Sequence, residues 1–143
     1  MILDAYSENR ESVSLNLIQQ AANDKTVVFC ISSENANAMQ SVRRMFVSLA
    51  DMEITQPVIL VTDSKMQTPD EHLIHFATET GALLLEGLGD GICLGYRGEV
   101  KLENPQVKGR TYLPVKDIYQ FTNNTAFSIL QATRTRISKT EYI

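Results

Sequence analysis

Gly81-Ala82-Leu83-Leu84-Leu85-Glu86-Gly87-Leu88-Gly89-Asp90-Gly91-Ile92-Cys93-Leu94-Gly95-Tyr96 is the stretch on which the reading of this chain turns. Its two apolar runs, Ala82–Leu85 and Ile92–Leu94, are short for helices and read as buried strands. Gly87, Gly89 and Gly91, with Asp90, separate them and supply backbone freedom where a turn passes close to something. Upstream, helix-like and strand-like segments alternate. Downstream, the chain is poorer in glycine and more basic.

Working outward, Pro57–Thr62 (Pro-Val-Ile-Leu-Val-Thr) and Thr26–Ile31 (Thr-Val-Val-Phe-Cys-Ile) are β-branched runs with no polar alternation, the mark of strands covered on both faces. Thr68-Pro69-Asp70-Glu71 opens a helix with a capping box and proline at the first helical position. Leu73, Ile74, Phe76 and Ala77 form its expected stripe, and Gly81 its stop. Ser32 and Ser33 are candidate caps for a helix striped by Ala38, Val42, Met45, Phe46, Leu49 and Ala50. Met1–Tyr6 reads as an apolar lead-in. Ser7 is a candidate N-cap, with Glu8 and Glu11 in the first turn of a helix carried by Leu15, Leu17, Ile18, Ala21 and Ala22.

Helices alternating with such strands predict βα units and a mostly parallel sheet flanked by helices, in a single α/β domain over residues 1–143. A full (β/α)8 barrel runs to about 250 residues and at least about 200. The expectation is therefore a partial, TIM-barrel-like layer or a small open sheet of three to five strands. Residues 97–114 read as an irregular or hairpin excursion broken at Pro105, and Val115–Phe121 as a short helix. Asn123 or Asn124 would cap a last helix with Ala126, Phe127, Ile129, Leu130 and Ala132 on its apolar side. The tail after Thr133 has no stop signal and suggests a piece of a longer chain.

The net charge of −4 hides an asymmetry: residues 1–96 carry 5 basic and 13 acidic side chains, residues 97–143 carry 8 and 4. A pI near 5.1 argues against nucleic acid as a partner. No apolar run reaches the roughly 20 residues of a membrane span, and the first residues show neither the basic start nor the apolar core of a signal peptide. Cys30 and Cys93 sit in strand-like runs, which suits reduced thiols in a cytoplasmic protein.

Few residues suggest chemistry. His72 and His75, beside Glu71 and Glu79, have helical spacing for a metal but no third ligand, and read as solvated or helix-flanking. Asp63 followed by Lys65 suggests a phospho-accepting receiver, but Cys30-Ile31-Ser32-Ser33 stands where a receiver carries its acidic pair, which rejects that reading. Gly87-Leu88-Gly89-Asp90-Gly91 could cradle a phosphate, yet no capped helix follows. No grouping points to a nucleophile, an acid/base pair or a metal, so no catalytic, cofactor-binding or metal residue is assigned.

Three segments carry a resemblance: Gly81 to Ile92; Asn124-Thr125-Ala126-Phe127-Ser128-Ile129-Leu130-Gln131 leading into Arg134-Thr135-Arg136; and Ser138-Lys139-Thr140-Glu141-Tyr142-Ile143. Together they resemble hydroxymethylbutenyl diphosphate synthase (IspG or GcpE), an iron–sulfur oxidoreductase of non-mevalonate isoprenoid biosynthesis. The likeness is sharp from Gly81 to Ile143 and diffuse before it. It implies the inserted middle domain of the long, three-domain form, placed between a barrel domain and a cluster domain. In that form a similar tail runs into a Ser-Cys-Pro-Ser-Cys-Gly pattern whose cysteines bind a [4Fe-4S] cluster, so the cluster is expected downstream of Ile143 and no cofactor in this segment. In the short form the Gly-Asp stretch precedes a strand with an arginine and a serine associated with the substrate diphosphate; Cys93 and Gly95 stand there instead.

The resemblance thus implies a non-catalytic spacer, with the barrel and cluster domains of the same chain as partners. A second reading is an anion-binding or interdomain surface using Gly87, Gly89, Asp90, Gly91, Arg97, Arg110, Arg134 and Arg136. A third is a docking surface for flavodoxin or ferredoxin, suggested by the acidic N-terminal two-thirds. Neither nucleic acid nor membrane is an expected partner.

Overall fold

The computed structural model describes residues 1–8, 15–98 and 117–141, with side chains for 1–8, 16–98 and 117–134. The expected excursion over 97–114 lies almost wholly outside the described residues, as does Arg110. Four strands, β1 (Ile2–Asp4), β2 (Phe29–Ser32), β3 (Val58–Ser64) and β4 (Gly91–Tyr96), form one open sheet in chain order. Every neighbouring pair is parallel. The expected parallel α/β layer is therefore what forms.

The register lines up Leu3, Ile31, Leu60 and Ile92 across the sheet. With Phe29 and Val58 these residues make the face that meets the helices. Helix α1 (Leu15–Ala22) contributes Ile18, and α2 (Ala38–Asp51) contributes Val42, Met45 and Leu49. The long helix α5 (Ile118–Glu141) contributes Ile129. The opposite face is different from expectation: Ile2, Cys30, Ile59, Val61 and Cys93 are none of them buried. Unalternating strands were read as covered on both sides, and among the described residues only one side is covered.

Several local readings are corrected. Met1–Tyr6 is not a lead-in but contains β1, fixed by Cys30 N–H donating to Met1 O (2.8 Å) and Ala5 N–H to Ser32 O (2.7 Å). Ala82–Leu85 is not a strand but helix α4, reached from α3 (Pro69–Phe76) through one π turn, Ala77–Gly81. Gly81 keeps right-handed helical angles (φ −63°, ψ −39°), so it continues the helix instead of closing it. Apolar residues at 83 and 84 then fall on the buried side, with Leu85 exposed. The buried stripe of α3 is His72 and Phe76, while Ile74 is turned to solvent.

The helix actually ends at Gly87, in a Schellman turn. Gly87 N–H donates to Leu84 O (3.0 Å) and Leu88 N–H to Leu83 O (2.9 Å), with Gly87 at φ +80°. The short helix expected over Val115–Phe121 and the last helix expected after it are one, α5, started by Asp117, whose carboxylate accepts from Gln120 N–H at 2.8 Å. Asn123 and Asn124 lie exposed within it, and its buried stripe is Thr125, Ile129 and Thr133. Helix α2 likewise begins after Asn37, not at Ser32 or Ser33, whereas the capping box of α3 forms as read.

Candidate functional site

Parallel sheets place loops that bind ligands at the carboxyl ends of their strands. Here those ends frame a cleft of about 290 Å³, lined by Glu34, Asp63, Lys65, His75, Glu79 and Arg97 among others. The loop after β2 is held by side chains. Ser7 Oγ donates to Asp4 (2.6 Å) and accepts from Glu34 N–H (2.8 Å), so Ser7 ties β1 to this loop instead of capping a described helix. Asn35 accepts from Glu8 N–H (3.0 Å) and donates to Tyr6 O (2.8 Å).

Arg97, just past β4, joins the strand ends. Its guanidinium reaches Glu34 at 2.8 Å and Asp63 at 3.2 Å, and these carboxylates hold it more firmly charged than a free arginine. Gly95 makes this possible, because a Cβ there would lie 2.4 Å from Asp63 Oδ1. Glu79, on the π turn, is partly buried; burial pushes its carboxyl above the usual range, against the opposing pull of His75 and of a Met39 backbone amide at the start of α2. The cleft holds three carboxylates, Glu34, Asp63 and Glu79, against Lys65 and Arg97. Such a mouth disfavours a diphosphate, since its arginine is already engaged by two carboxylates.

Beneath the cleft, His72 is buried, not solvated, at 1% exposure. Its Nδ1 lies 2.7 Å from Ser64 Oγ, Nε2 has no hydrogen-bond partner, and the ring meets Tyr96 edge-on at 4.7 Å. Burial holds this imidazole's pKa below the usual value, and burial raises that of the Tyr96 phenol.

The residues singled out for anion or interdomain contact are not gathered in one place. Gly87, Gly89, Asp90 and Gly91 precede or open β4, and Arg97 follows it, so about 20 Å of strand separates them. Asp90 clamps β3, donating its N–H to Val58 O (2.7 Å) and accepting from Val58 N–H (2.9 Å). With the amides of Gly87, Leu88 and Asp90 bonded internally, the loop is occupied by its own structure. Arg134 is on α5, where its exposed side chain has a partner; Arg136 is on the same helix, its side chain outside the described set. His75 and Glu79 were grouped by the sequence only with their helix neighbours, and not with Glu34 or Asp63. The available signal was position: Glu34, Asp63 and Arg97 each end or follow a strand.

A [4Fe-4S] cluster, which the motif resemblance implies for the longer enzyme, is held by four thiolates as a rule, and this chain has two cysteines, Cys30 and Cys93. Cys30 aligns with Ile59 on β3, and Cys93 with Val61, two strands and two residues away. Two strand spacings put them about 10 Å apart across the sheet. Among the described residues, no three His, Cys, Asp or Glu side chains converge as a metal site, and no helix is long and apolar enough to cross a membrane.

No family model matches the chain, and no solved structure gives a significant match. Named relatives do match. The chain is 34% identical over 120 residues to the 4-hydroxy-3-methylbut-2-en-1-yl diphosphate synthase (flavodoxin) of Parabacteroides distasonis, covering 84% of this chain and 17% of that protein. It is 31% identical over 113 residues to the chloroplastic, ferredoxin form of Arabidopsis thaliana, covering 78% and 13%. With the flavodoxin form of Chlamydia caviae it shares 39% over 88 residues, 62% of this chain and 12% of that one. The chain thus spans about a sixth or less of the length of these relatives. As the motif resemblance implies, the chain is a homologue of one segment of the 4-hydroxy-3-methylbut-2-en-1-yl diphosphate synthases.

Proposed function

We propose that this chain serves as a non-catalytic α/β spacer in a 4-hydroxy-3-methylbut-2-en-1-yl diphosphate synthase, the reductive chemistry and its [4Fe-4S] cluster residing on protein beyond Ile143. The observation that carries this reading is the match itself, most of this chain against a sixth or less of each synthase. Supporting it, two thiols are fewer than a [4Fe-4S] cluster normally takes, and the ionic groups of the cleft largely neutralise one another. A spacer needs a rigid layer with stable ends, which the Arg97 bridge and the Asp90 clamp provide. Gly87, Gly89, Asp90, Gly91, Arg97, Arg134 and Arg136 are then interdomain contacts, at opposite ends of the layer.

Anaerobic treatment of the chain with iron and sulfide tests the proposal. The expected result is no stable cluster absorption, and Cys30→Ser with Cys93→Ser changing nothing. A stoichiometric [4Fe-4S] spectrum that survives desalting overturns it.

A second reading, a docking face for flavodoxin or ferredoxin, is favoured by the reductants named for the relatives and by the acidic balance of residues 1–96. Salt-dependent binding of either donor is the expected sign; binding that is absent or indifferent to salt counts against it.

A further inference from the structure

His72 is the buried side chain for which neither the cleft nor the spacer role supplies a task. Its Nδ1 lies 2.7 Å from Ser64 Oγ, and at 1% exposure its Nε2 finds no hydrogen-bond partner among the described residues. A buried nitrogen left bare is costly and calls for a reason. We propose that His72 is an acid-released latch. Neutral, it pins the start of α3 to the strand ends beneath the cleft; protonated, it leaves its pocket, frees that end of α3 and opens the cleft along Lys65, Met66 and His75.

Placement leads there first. Ser64 and Tyr96 are register partners at the ends of β3 and β4, and the imidazole rests on both, 2.7 Å from one hydroxyl and edge-on at 4.7 Å to the other's ring. Through Tyr96 the contact extends to α5, where Thr122 Oγ1 lies 3.0 Å from Tyr96 Oη. Helix α3 buries two side chains, His72 and Phe76. Phe76 runs straight into the π turn, whose Thr80 and Gly81 are buried, so the far end of α3 stays anchored without His72. The near end has His72 alone. Lys65, Met66, Gln67 and Thr68, which lead into it, are all exposed and supply the hinge.

Charge then decides the state. A neutral imidazole tolerates one unpaired nitrogen, whereas an imidazolium carries a donor on each nitrogen and a full charge, and burying that unpaired costs far more. The groups facing the ring offset little of it. Ser64 from β3 and Thr122 behind Tyr96 are uncharged, and burial raises the pKa of the Tyr96 phenol, which stays neutral. On α3 itself Glu71 attracts the charge and His75 opposes it, and Glu71 is already bonded to the amides of Gln67 and Thr68. Asp63, next to Ser64, alternates to the other face and is engaged by Arg97. Once released into water, the ring regains its ordinary proton affinity. As pH falls from the ordinary imidazole value toward the lowered one of the closed state, the open fraction therefore rises about tenfold per pH unit.

Amide hydrogen exchange followed by NMR from pH 7 to pH 5 is the test. Exchange catalysed by hydroxide slows as pH falls, and opening of the latch offsets that slowing. A helix as short as α3 does not keep its hydrogen bonds once unpacked. The rates at His72, whose N–H donates to Thr68 O (3.0 Å), and at Met66, whose N–H donates to Ser64 Oγ (3.3 Å), are therefore expected to level off. That of Phe29, bonded to Pro57 O in the middle of the sheet, should go on falling. In His72→Leu the levelling should vanish. Rates at His72 and Met66 that fall in parallel with Phe29 overturn the proposal, as does levelling at all three, which is melting of the whole fold. Levelling that survives His72→Leu overturns it too. Should that variant fail to fold, His75→Gln decides: levelling that persists supports the latch, and levelling lost with His75 refutes it. None of these outcomes depends on the spacer role.

Discussion

His72 and Glu79 pull the stability of this protein in opposite directions with pH. His72 has its pKa lowered by burial, so the folded state resists its protonation. Its contribution is complete above the ordinary imidazole value and is lost as pH falls below it. Glu79 has its pKa raised by burial, so folding favours the protonated acid and stability is gained as pH falls toward the ordinary carboxylate value. Urea midpoints measured from pH 7 to pH 4 are expected to fall at first. In His72→Leu that first decline should be lost, and Glu79→Gln should steepen the acid end by removing the compensating gain. Gly95 supplies a second test. Gly95→Ala is expected to cost about 1–3 kcal/mol, because its methyl drives Asp63 off Arg97. In an Asp63→Ala background the cost should shrink, a coupling that a double-mutant cycle in urea measures. Little of this was legible beforehand. A histidine on a helix looks alike in sequence whether it faces water or Phe76 and Tyr96, and only the packing tells which.

At the scale of elements, endings were read well where a side chain makes the stop and poorly where the backbone does. Thr68 and Glu71 announce α3 because each satisfies an amide that helix geometry leaves bare. Those amides hold the Glu71 carboxyl below its usual pKa, so the cap is present above the ordinary carboxylate range and lost in acid. Thr68→Ala is expected to cost about 0.5–2 kcal/mol in thermal or urea unfolding. Gly81 misled because glycine permits a stop without imposing one. Gly87, six residues on, has the left-handed angle that demands it, and Gly87→Ala is expected to cost about 1–2 kcal/mol. β1, of three residues, was too short for any periodicity to register. The stripe of α5 escaped because threonines at 125 and 133 turn their hydroxyls back onto the helix, toward Phe121 O and Ile129 O, and behave as core residues.

Over the whole molecule, the parallel layer was legible because β2 and β3 carry apolar β-branched runs with one helix, α2, between them. That, among the described residues, only one side is covered was not, since a buried face and an uncovered one use the same residues. The cleft was half legible. Arg97 was named, but its carboxylates come from strand ends far apart in sequence, and only parallel pairing brings them together. Amide hydrogen exchange should follow the layering, slowest at Phe29–Ile31 and Val58–Leu60 and faster at Ile2–Asp4 on the outer edge. Slow exchange throughout β1, at a concentration where the chain is monomeric, would contradict that ranking.

The π turn at Ala77–Gly81 has one more consequence. A π turn accommodates one residue more than an α turn would, and it hands the helix on without spinning the residues that follow. Removing Thr78, which points to solvent, should therefore let the segment relax into ordinary helix with Leu83 and Leu84 still facing inward. The same excision two turns earlier would swing every later side chain by about 100°. Slack of this sort, stored in mid-helix, marks a spot where the polypeptide can shorten by one link and still close on the same interior.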